Sequence, residues 1–221
     1  MLFRSSIELN AGGHIEVVES ISSDDAISIV STDTSVTTPV SKTLHNVATE
    51  VYTADDSSME DEDIVFLASV SVRGGTDVKI SAGDDILVAE NASLIAGDEI
   101  TLAIDHSNQD EGEGARIDFH GALTANKTVI SGNQDADTFF FSPESVDGPV
   151  SLLGDLEGDA GGDDIFELDA IPTIENPEGS TMTLDGLGGS DLYTINVTGN
   201  SDYRVSIEDS GQARSEEHTS E

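Results

Sequence analysis

Asp135-Ala136-Asp137-Thr138-Phe139, Gly162-Asp163-Asp164-Ile165-Phe166 and Gly189-Ser190-Asp191-Leu192-Tyr193 share one pattern: Gly or Asp, any residue, Asp, any residue, aromatic. The central aspartates fall at 137, 164 and 191, a constant step of 27 residues. Each is preceded by a short run with strand character, namely Val129-Ile130, Val150-Ser151-Leu152-Leu153 and Met182-Thr183-Leu184. A strand, an acidic turn and a second strand recurring every 20–45 residues or so mark a solenoid, because one such unit cannot bury its apolar side alone and must stack on its neighbours.

The N-terminal half carries a second self-similarity. Ile7-Glu8-Leu9-Asn10-Ala11-Gly12-Gly13-His14-Ile15-Glu16-Val17 aligns with Val78-Lys79-Ile80-Ser81-Ala82-Gly83-Asp84-Asp85-Ile86-Leu87-Val88, an offset of 71. Both copies continue into a further strand signal, Asp25-Ala26-Ile27-Ser28-Ile29 and Asp98-Glu99-Ile100-Thr101-Leu102. Within each, apolar and polar residues alternate over short runs bounded by Gly and Asp, the period of a half-buried strand. Further strands are expected at Ile117-Asp118-Phe119, Leu192–Val197 and Tyr203–Ile207. These signals predict an all-β fold, a parallel β-solenoid with uncapped ends. The expected layout is a first partial repeat over 1–30, an acidic Ser/Thr/Asp-rich loop or linker over 31–70, and the solenoid proper over 71–213.

Composition narrows the function classes. Among 221 residues, 8 are basic and 45 acidic, a formal net charge of −37. Nucleic-acid backbones and anionic lipid surfaces would be repelled. With no cysteine there is no disulfide framework, thiolate metal site or cysteine nucleophile. The segment Met1–Glu8 turns polar too early for a secretory signal, and no apolar stretch reaches the roughly 18 residues of a membrane span. The last eight residues, Arg214-Ser215-Glu216-Glu217-His218-Thr219-Ser220-Glu221, resemble the in-frame translation of a DNA-sequencing adapter, so 214–221 is set aside. The chain is therefore expected to be an internal piece of a longer protein.

The acidic Gly turns are the main candidates for chemistry. A nonapeptide G-G-x-G-x-D-x-U-x binds Ca²⁺ between stacked turns, since its glycines let carbonyl oxygens and the Asp carboxylate converge on one hard cation. The stretch from Gly186 to Thr194 matches at Gly186, Gly189, Asp191 and its apolar position, and the stretch from Asp159 to Glu167 matches at Gly162, Asp164 and Phe166. The third copy carries Asp135 in place of the last glycine, ahead of Asp137. The candidate metal-ligating set is Gly162, Asp163, Asp164, Gly186, Gly189, Asp191, Asp135 and Asp137. The competing account treats these as plain β-turns, where Gly and Asp are favoured for positive φ and for side chain to backbone hydrogen bonds.

On these motifs the chain resembles the giant bacterial secreted repeat proteins, of the haemolysin-type calcium-binding and filamentous-haemagglutinin-like kind, over roughly Val78 to Gly211 plus the copy near Ile7. The resemblance implies a right-handed parallel β-helix, an extracellular or cell-surface location, Ca²⁺ in the aspartate turns, and an adhesive or structural role toward an unknown surface or carbohydrate ligand. It also implies neighbouring solenoid repeats of the same chain. In those families the nonapeptides run in tandem, whereas here one degenerate turn occurs per 27 residues. A salt-adapted, metal-free structural repeat would carry the same acidic excess as a solvated face.

Catalytic signatures are missing from the sequence. There is no G-x-S-x-G elbow, H-E-x-x-H zinc helix or phosphate loop. No catalytic residue is assigned. A carbohydrate-active β-helix fragment is the alternative from another class, and its mark would be a cleft gathering a basic residue with two carboxylates. His14 and His120 are expected as exposed turn residues. Phe139, Phe140, Phe141, Phe166 and Tyr193 are expected to stack inside the solenoid as a ladder.

Overall fold

The structure is a computed structural model of the chain, and it describes residues 6–11, 14–31, 42–43, 53–54, 63–106, 114–155, 161–169, 181–196, 204–208 and 210. The chain coils repeatedly through three faces. β1 (Ile7–Ala11), β2 (Ile15–Val17) and β3 (Ile21–Ser23) make the first rung. β4 (Ile27–Ser31) begins the second, is followed by the short antiparallel pair β5 (Lys42–Thr43) and β6 (Thr53–Ala54), and the rung resumes with β7 (Ile64–Phe66) and β8 (Ser71–Gly74). Three-strand rungs follow: β9 (Val78–Ser81), β10 (Ile86–Val88), β11 (Ser93–Ala96); β12 (Glu99–Ala103), β13 (Arg116–Phe119), β14 (Ala122–Thr124); and β15 (Lys127–Ser131), β16 (Thr138–Phe141), β17 (Ser145–Asp147). The last strands are β18 (Val150–Leu153), β19 (Ile165–Leu168), β20 (Thr181–Asp185), β21 (Leu192–Ile195) and β22 (Arg204–Glu208).

Equivalent strands of successive rungs pair in parallel. Sheet 1 has eight strands in the order β1-β4-β9-β12-β15-β18-β20-β22, sheet 2 has seven in the order β2-β7-β10-β13-β16-β19-β21, and sheet 3 has five in the order β3-β8-β11-β14-β17. This is the parallel β-solenoid that the repeats predict. The 71-residue offset is a two-rung period: Ile7 pairs with Ile27 and Ile27 with Val78 in sheet 1, while Ile15 pairs with Ile64 and Ile64 with Ile86 in sheet 2. The 27-residue step is one rung, since Phe139 pairs with Phe166 and Phe166 with Tyr193.

The expected domain boundaries shift. β1 to β4 belong to the same stack as the later rungs, and the loop expected over 31–70 gives way by Asp63, because β7 and Val70 lie in the core. Residues 32–41, 44–52 and 55–62 lie outside the described residues, as does the adapter-like 214–221.

Because successive side chains of a strand point to opposite faces, every second residue faces the interior, and parallel registry puts like residues on top of one another. In sheet 1 the column Ile29, Ile80, Leu102, Ile130, Leu152, Leu184 is fully buried. In sheet 2 aliphatic Ile64, Ile86 and Ile117 give way to rings: Phe139 and Phe166 stack at 4.7 Å and 9°, and Phe166 and Tyr193 at 5.0 Å and 8°. A second ring pair, Phe119 on Phe141 at 5.4 Å, fills the neighbouring column. The ring ladder thus holds Phe139, Phe141, Phe166 and Tyr193, but Phe140 falls on the alternate side and faces outward, half-buried. Phe166→Ala, which empties the middle of the ring column, is expected to cost about 3–5 kcal/mol in a urea unfolding titration.

Candidate functional site

The acidic turns lie at the corner where the chain passes from sheet 1 to sheet 2, and the three copies stack residue upon residue. Gly162 approaches the backbone of Asp135 and Ala136 so closely that a Cβ on it would overlap them, and Gly189, at φ 96°, sits equally close over Gly162. Only glycine allows this approach. One position on, Asp163 Oδ1 accepts a hydrogen bond from the Ser190 N–H at 2.8 Å. At the next, Asp137, Asp164 and Asp191 form a ladder.

That ladder has a repeated hydrogen bond. Asp191 Oδ1 accepts from the backbone N–H of Asp164 at 2.9 Å, Asp164 Oδ1 from the N–H of Asp137 at 2.8 Å, and Asp137 Oδ1 from the N–H of Ala115 at 2.7 Å. Each carboxylate therefore caps the amide of the equivalent corner residue one rung earlier. The other oxygen of each lies over a glycine at the end of the sheet 1 strand, Gly132 beneath Asp137, Gly154 beneath Asp164 and Gly186 beneath Asp191, where a Cβ would overlap Oδ2 in all three cases. Earlier rungs use the device in the opposite sense: Asp63 Oδ1 accepts from the Asp85 N–H at 3.3 Å and Asp85 Oδ1 from the Arg116 N–H at 2.6 Å.

Burial makes these carboxyls costly to ionise. Asp137 and Asp164 are wholly buried, and the loss of solvent pushes Asp137 up to about 7 and Asp164 up to about 9. The backbone hydrogen bonds oppose this rise, while the charges of Asp155, Asp137 and Asp191 add to it at Asp164. Asp137 Oδ2 also accepts from the Asn133 N–H at 2.8 Å, but Asp164 Oδ2 is buried with no hydrogen-bond partner among the described residues.

All eight sequence-assigned residues thus meet at this one corner. Sequence reasoning passed over Asp155, which is buried and ties the same turns together, its Oδ1 accepting from the Gly162 N–H at 3.2 Å and its Oδ2 from the Gly188 N–H at 3.0 Å. It also passed over the Gly132 and Gly154 seats, although a glycine directly after each of β15, β18 and β20 was a visible signal. Asp185, at the end of β20, accepts from the N–H groups of Leu187 at 3.2 Å and Ser210 at 3.0 Å and from the Ser210 hydroxyl at 2.6 Å.

A second cluster was also missed, on the outward face of sheet 2. Arg116, Asp118 and His120 alternate along β13 and its end and so share one side. Arg116 Nη2 lies 3.1 Å from Asp118 Oδ2, and His120 Nε2 lies 2.9 Å from Asp118 Oδ1. Phe140 is the register neighbour of Asp118, with its ring 5.4 Å from His120 and 5.8 Å from the Arg116 guanidinium carbon. His120 is thus half-buried against a carboxylate, and His14 lies 3.8 Å from Asp63.

Calcium takes six to eight oxygens at about 2.3–2.6 Å. Asp164 Oδ2 and Asp135 Oδ2 are buried acceptors without a hydrogen-bond partner among the described residues, whereas the Oδ1 atoms of the ladder are committed to amides. Among the described residues no three His, Asp or Glu side chains are arranged as a metal-ligand group. No protein-family model, curated protein or solved structure matches the chain.

Two predictions follow from the corner. Gly154→Ala places a methyl group against Asp164 Oδ2 and 2.7 Å from the Gly186 carbonyl oxygen, and is expected to lower stability by about 1–3 kcal/mol in the same titration. The raised carboxyls set a pH dependence. An unfolded Asp titrates near pH 3.9, so the folded state holds extra protons above that pH; their stabilisation is full below about pH 3.9 and is lost as pH rises through about 7 at Asp137 and about 9 at Asp164. The melting temperature should fall from pH 5 to pH 9, and Asp164→Asn, which keeps an acceptor oxygen but no charge, should flatten that fall.

Proposed function

We propose that this chain is a structural or adhesive repeat segment of a large exported bacterial surface protein, with the solenoid serving as a stiff spacer. The observation that carries the proposal is the unbroken parallel registry of sheet 1 across all eight of its strands, which at about 4.8 Å per strand spacing gives a rod some 34 Å long. A rod assembled from stacked turns lengthens by adding turns, which suits a role set by reach. The net charge of −37 keeps such a surface soluble and apart from anionic membranes and nucleic acids.

A second reading, calcium held at the acidic corner, is favoured by one atom: the buried, unpartnered Oδ2 of Asp164 among the carboxylates of Asp137, Asp155 and Asp191. There Asp164 Oδ2 would supply a ligand oxygen, and the ion would supply positive charge between rungs and no chemistry. Catalysis is not proposed. Among the described residues no pair of carboxylates is set beside a basic side chain at a cleft, and acid/base cleavage of a glycosidic bond uses two carboxyls.

Far-UV circular dichroism melts of the full chain test both readings. The spacer reading expects a β signal that melts cooperatively, and a featureless coil spectrum sinks it. Titration with CaCl₂, MgCl₂ and NaCl at matched ionic strength separates the ion-bound from the ion-free form. A melting temperature that rises with millimolar Ca²⁺ alone, and not in Asp164→Asn, assigns the corner to calcium. An equal rise with Na⁺ means that the carboxylates are only screened and the repeat is metal-free.

A further inference from the structure

We propose that the outward face of sheet 2 at β7 and β10 is a docking surface whose occupant is the chain's own segment 32–62, seated there through the apolar residues it carries between 36 and 52.

Strand composition sets these two rungs apart. β7 reads Ile64-Val65-Phe66 and β10 reads Ile86-Leu87-Val88, unbroken apolar runs. In the same outward column β2, β13, β19 and β21 carry Glu16, Asp118, Glu167 and Thr194, and β16 carries the half-buried Phe140. A strand with one wet face alternates apolar and polar residues, whereas a continuous apolar run belongs to a parallel strand covered on both faces.

Burial agrees with composition. Val65 and Leu87 are 1% and 4% exposed, yet neither belongs to the interior cluster that takes in their chain neighbours Ile64, Phe66, Ile86 and Val88. Stacking within the column does not by itself hide an outward side chain: Glu167 stands between Phe140 and Thr194 and is exposed. A further layer therefore lies over Val65 and Leu87.

Position, reach and composition select the occupant. Segment 32–62 interrupts the very rung that contains β7, leaving from the end of β4 at Ser31 and returning at Asp63, one residue ahead of Ile64. The antiparallel pair of β5 and β6 within it ends at Ala54, and the stretch from there to Asp63 can span up to about 30 Å. Leu87 lies one rung beyond Val65, about 4.8 Å away. The middle of the segment carries Val36, Val40, Leu44, Val47, Val51 and Tyr52, apolar groups that gain by leaving water for such a face. The segment ahead of β13, Ser107-Asn108-Gln109-Asp110-Glu111-Gly112-Glu113, has no apolar side chain to offer. A second copy of the chain would bring another net charge of −37 against the first. Docked in this way, 32–62 is an arm fastened to the flank of the rod, and it hides an apolar patch that would otherwise draw other chains.

Because the chain has no cysteine, a single introduced thiol reports on the face. In the full chain, Leu87→Cys is expected to react with a maleimide at least about tenfold more slowly than Thr194→Cys, an exposed position of the same column. Adding Val47→Asp and Val51→Asp should restore that factor. Equal rates at the two thiols, or a Leu87→Cys thiol that stays slow with both aspartates present, overturn the proposal. Photolysis of Leu87→p-benzoylphenylalanine identifies the occupant with the segment unaltered, and it decides alone if the aspartates disturb the far-UV circular dichroism spectrum. The expected product is a cross-link within one chain to a peptide from 32–62. A link to 107–113, a link between two chains, or no link sinks the assignment.

Discussion

The fixed spacing between parallel strands governs the rest of this molecule. Backbone hydrogen bonds hold successive rungs about 4.8 Å apart, and every side chain then lies over its equivalent in the next rung. A column tolerates only residues that stack at that distance. Aliphatic side chains meet the condition by interdigitation and aromatic rings by lying nearly parallel, as Phe139, Phe166 and Tyr193 do. At the corner the same spacing lets a carboxylate from one rung reach the amide of another, which turns the backbone N–H left over at the bend into a bonded one. The glycines follow from that bond, because the second oxygen of each carboxyl occupies the volume that a Cβ would need.

This arrangement has an electrostatic consequence that the hydrogen bonds only partly offset. Burying one carboxylate is unfavourable, and stacking three in line adds repulsion that little solvent screens. Ladder amides favour the charged form and burial the neutral one; at Asp137 and Asp164 burial wins. The stack is thus poised between three ways of removing the strain: taking up a proton, taking up a cation, or opening. The earlier rungs space their corner acids differently: Asp63 and Asp85 share one column, Arg116 takes the next place, and its backbone N–H donates to the Asp85 carboxylate.

Much of this was legible in the sequence wherever a column repeats at a constant interval. The 27-residue step located the corner aspartates and the ring column, and the 71-residue offset located the strands of sheets 1 and 2 in the N-terminal half. What escaped was information carried by direction rather than by spacing. Three consecutive phenylalanines suggest one apolar patch, yet strand alternation sends Phe140 away from Phe139 and Phe141. The same alternation joins Arg116, Asp118 and His120, which in the sequence are merely three polar residues separated by Ile117 and Phe119. Asp155 was hidden for a different reason: it acts on Gly162 and Gly188, across the turn and into the next rung, and no local pattern encodes that contact.

The rungs differ in composition along the stack. Among the described residues sheet 3 ends at β17, whereas sheets 1 and 2 continue through β18 to β22. In the three-sided rungs Val72, Leu94, Leu123 and Val146 of sheet 3 close the core from the third side. The ring column, the Asp137-Asp164-Asp191 ladder and the Asp155 bridge all lie from β16 and its preceding corner onward. Buried carboxylates and stacked rings thus join these rungs side by side. The carboxylate links depend on charge state as apolar contacts do not, so the rungs that hold Asp137 and Asp164, whose burial raises both carboxyls, carry a sensitivity to protons that their apolar columns lack.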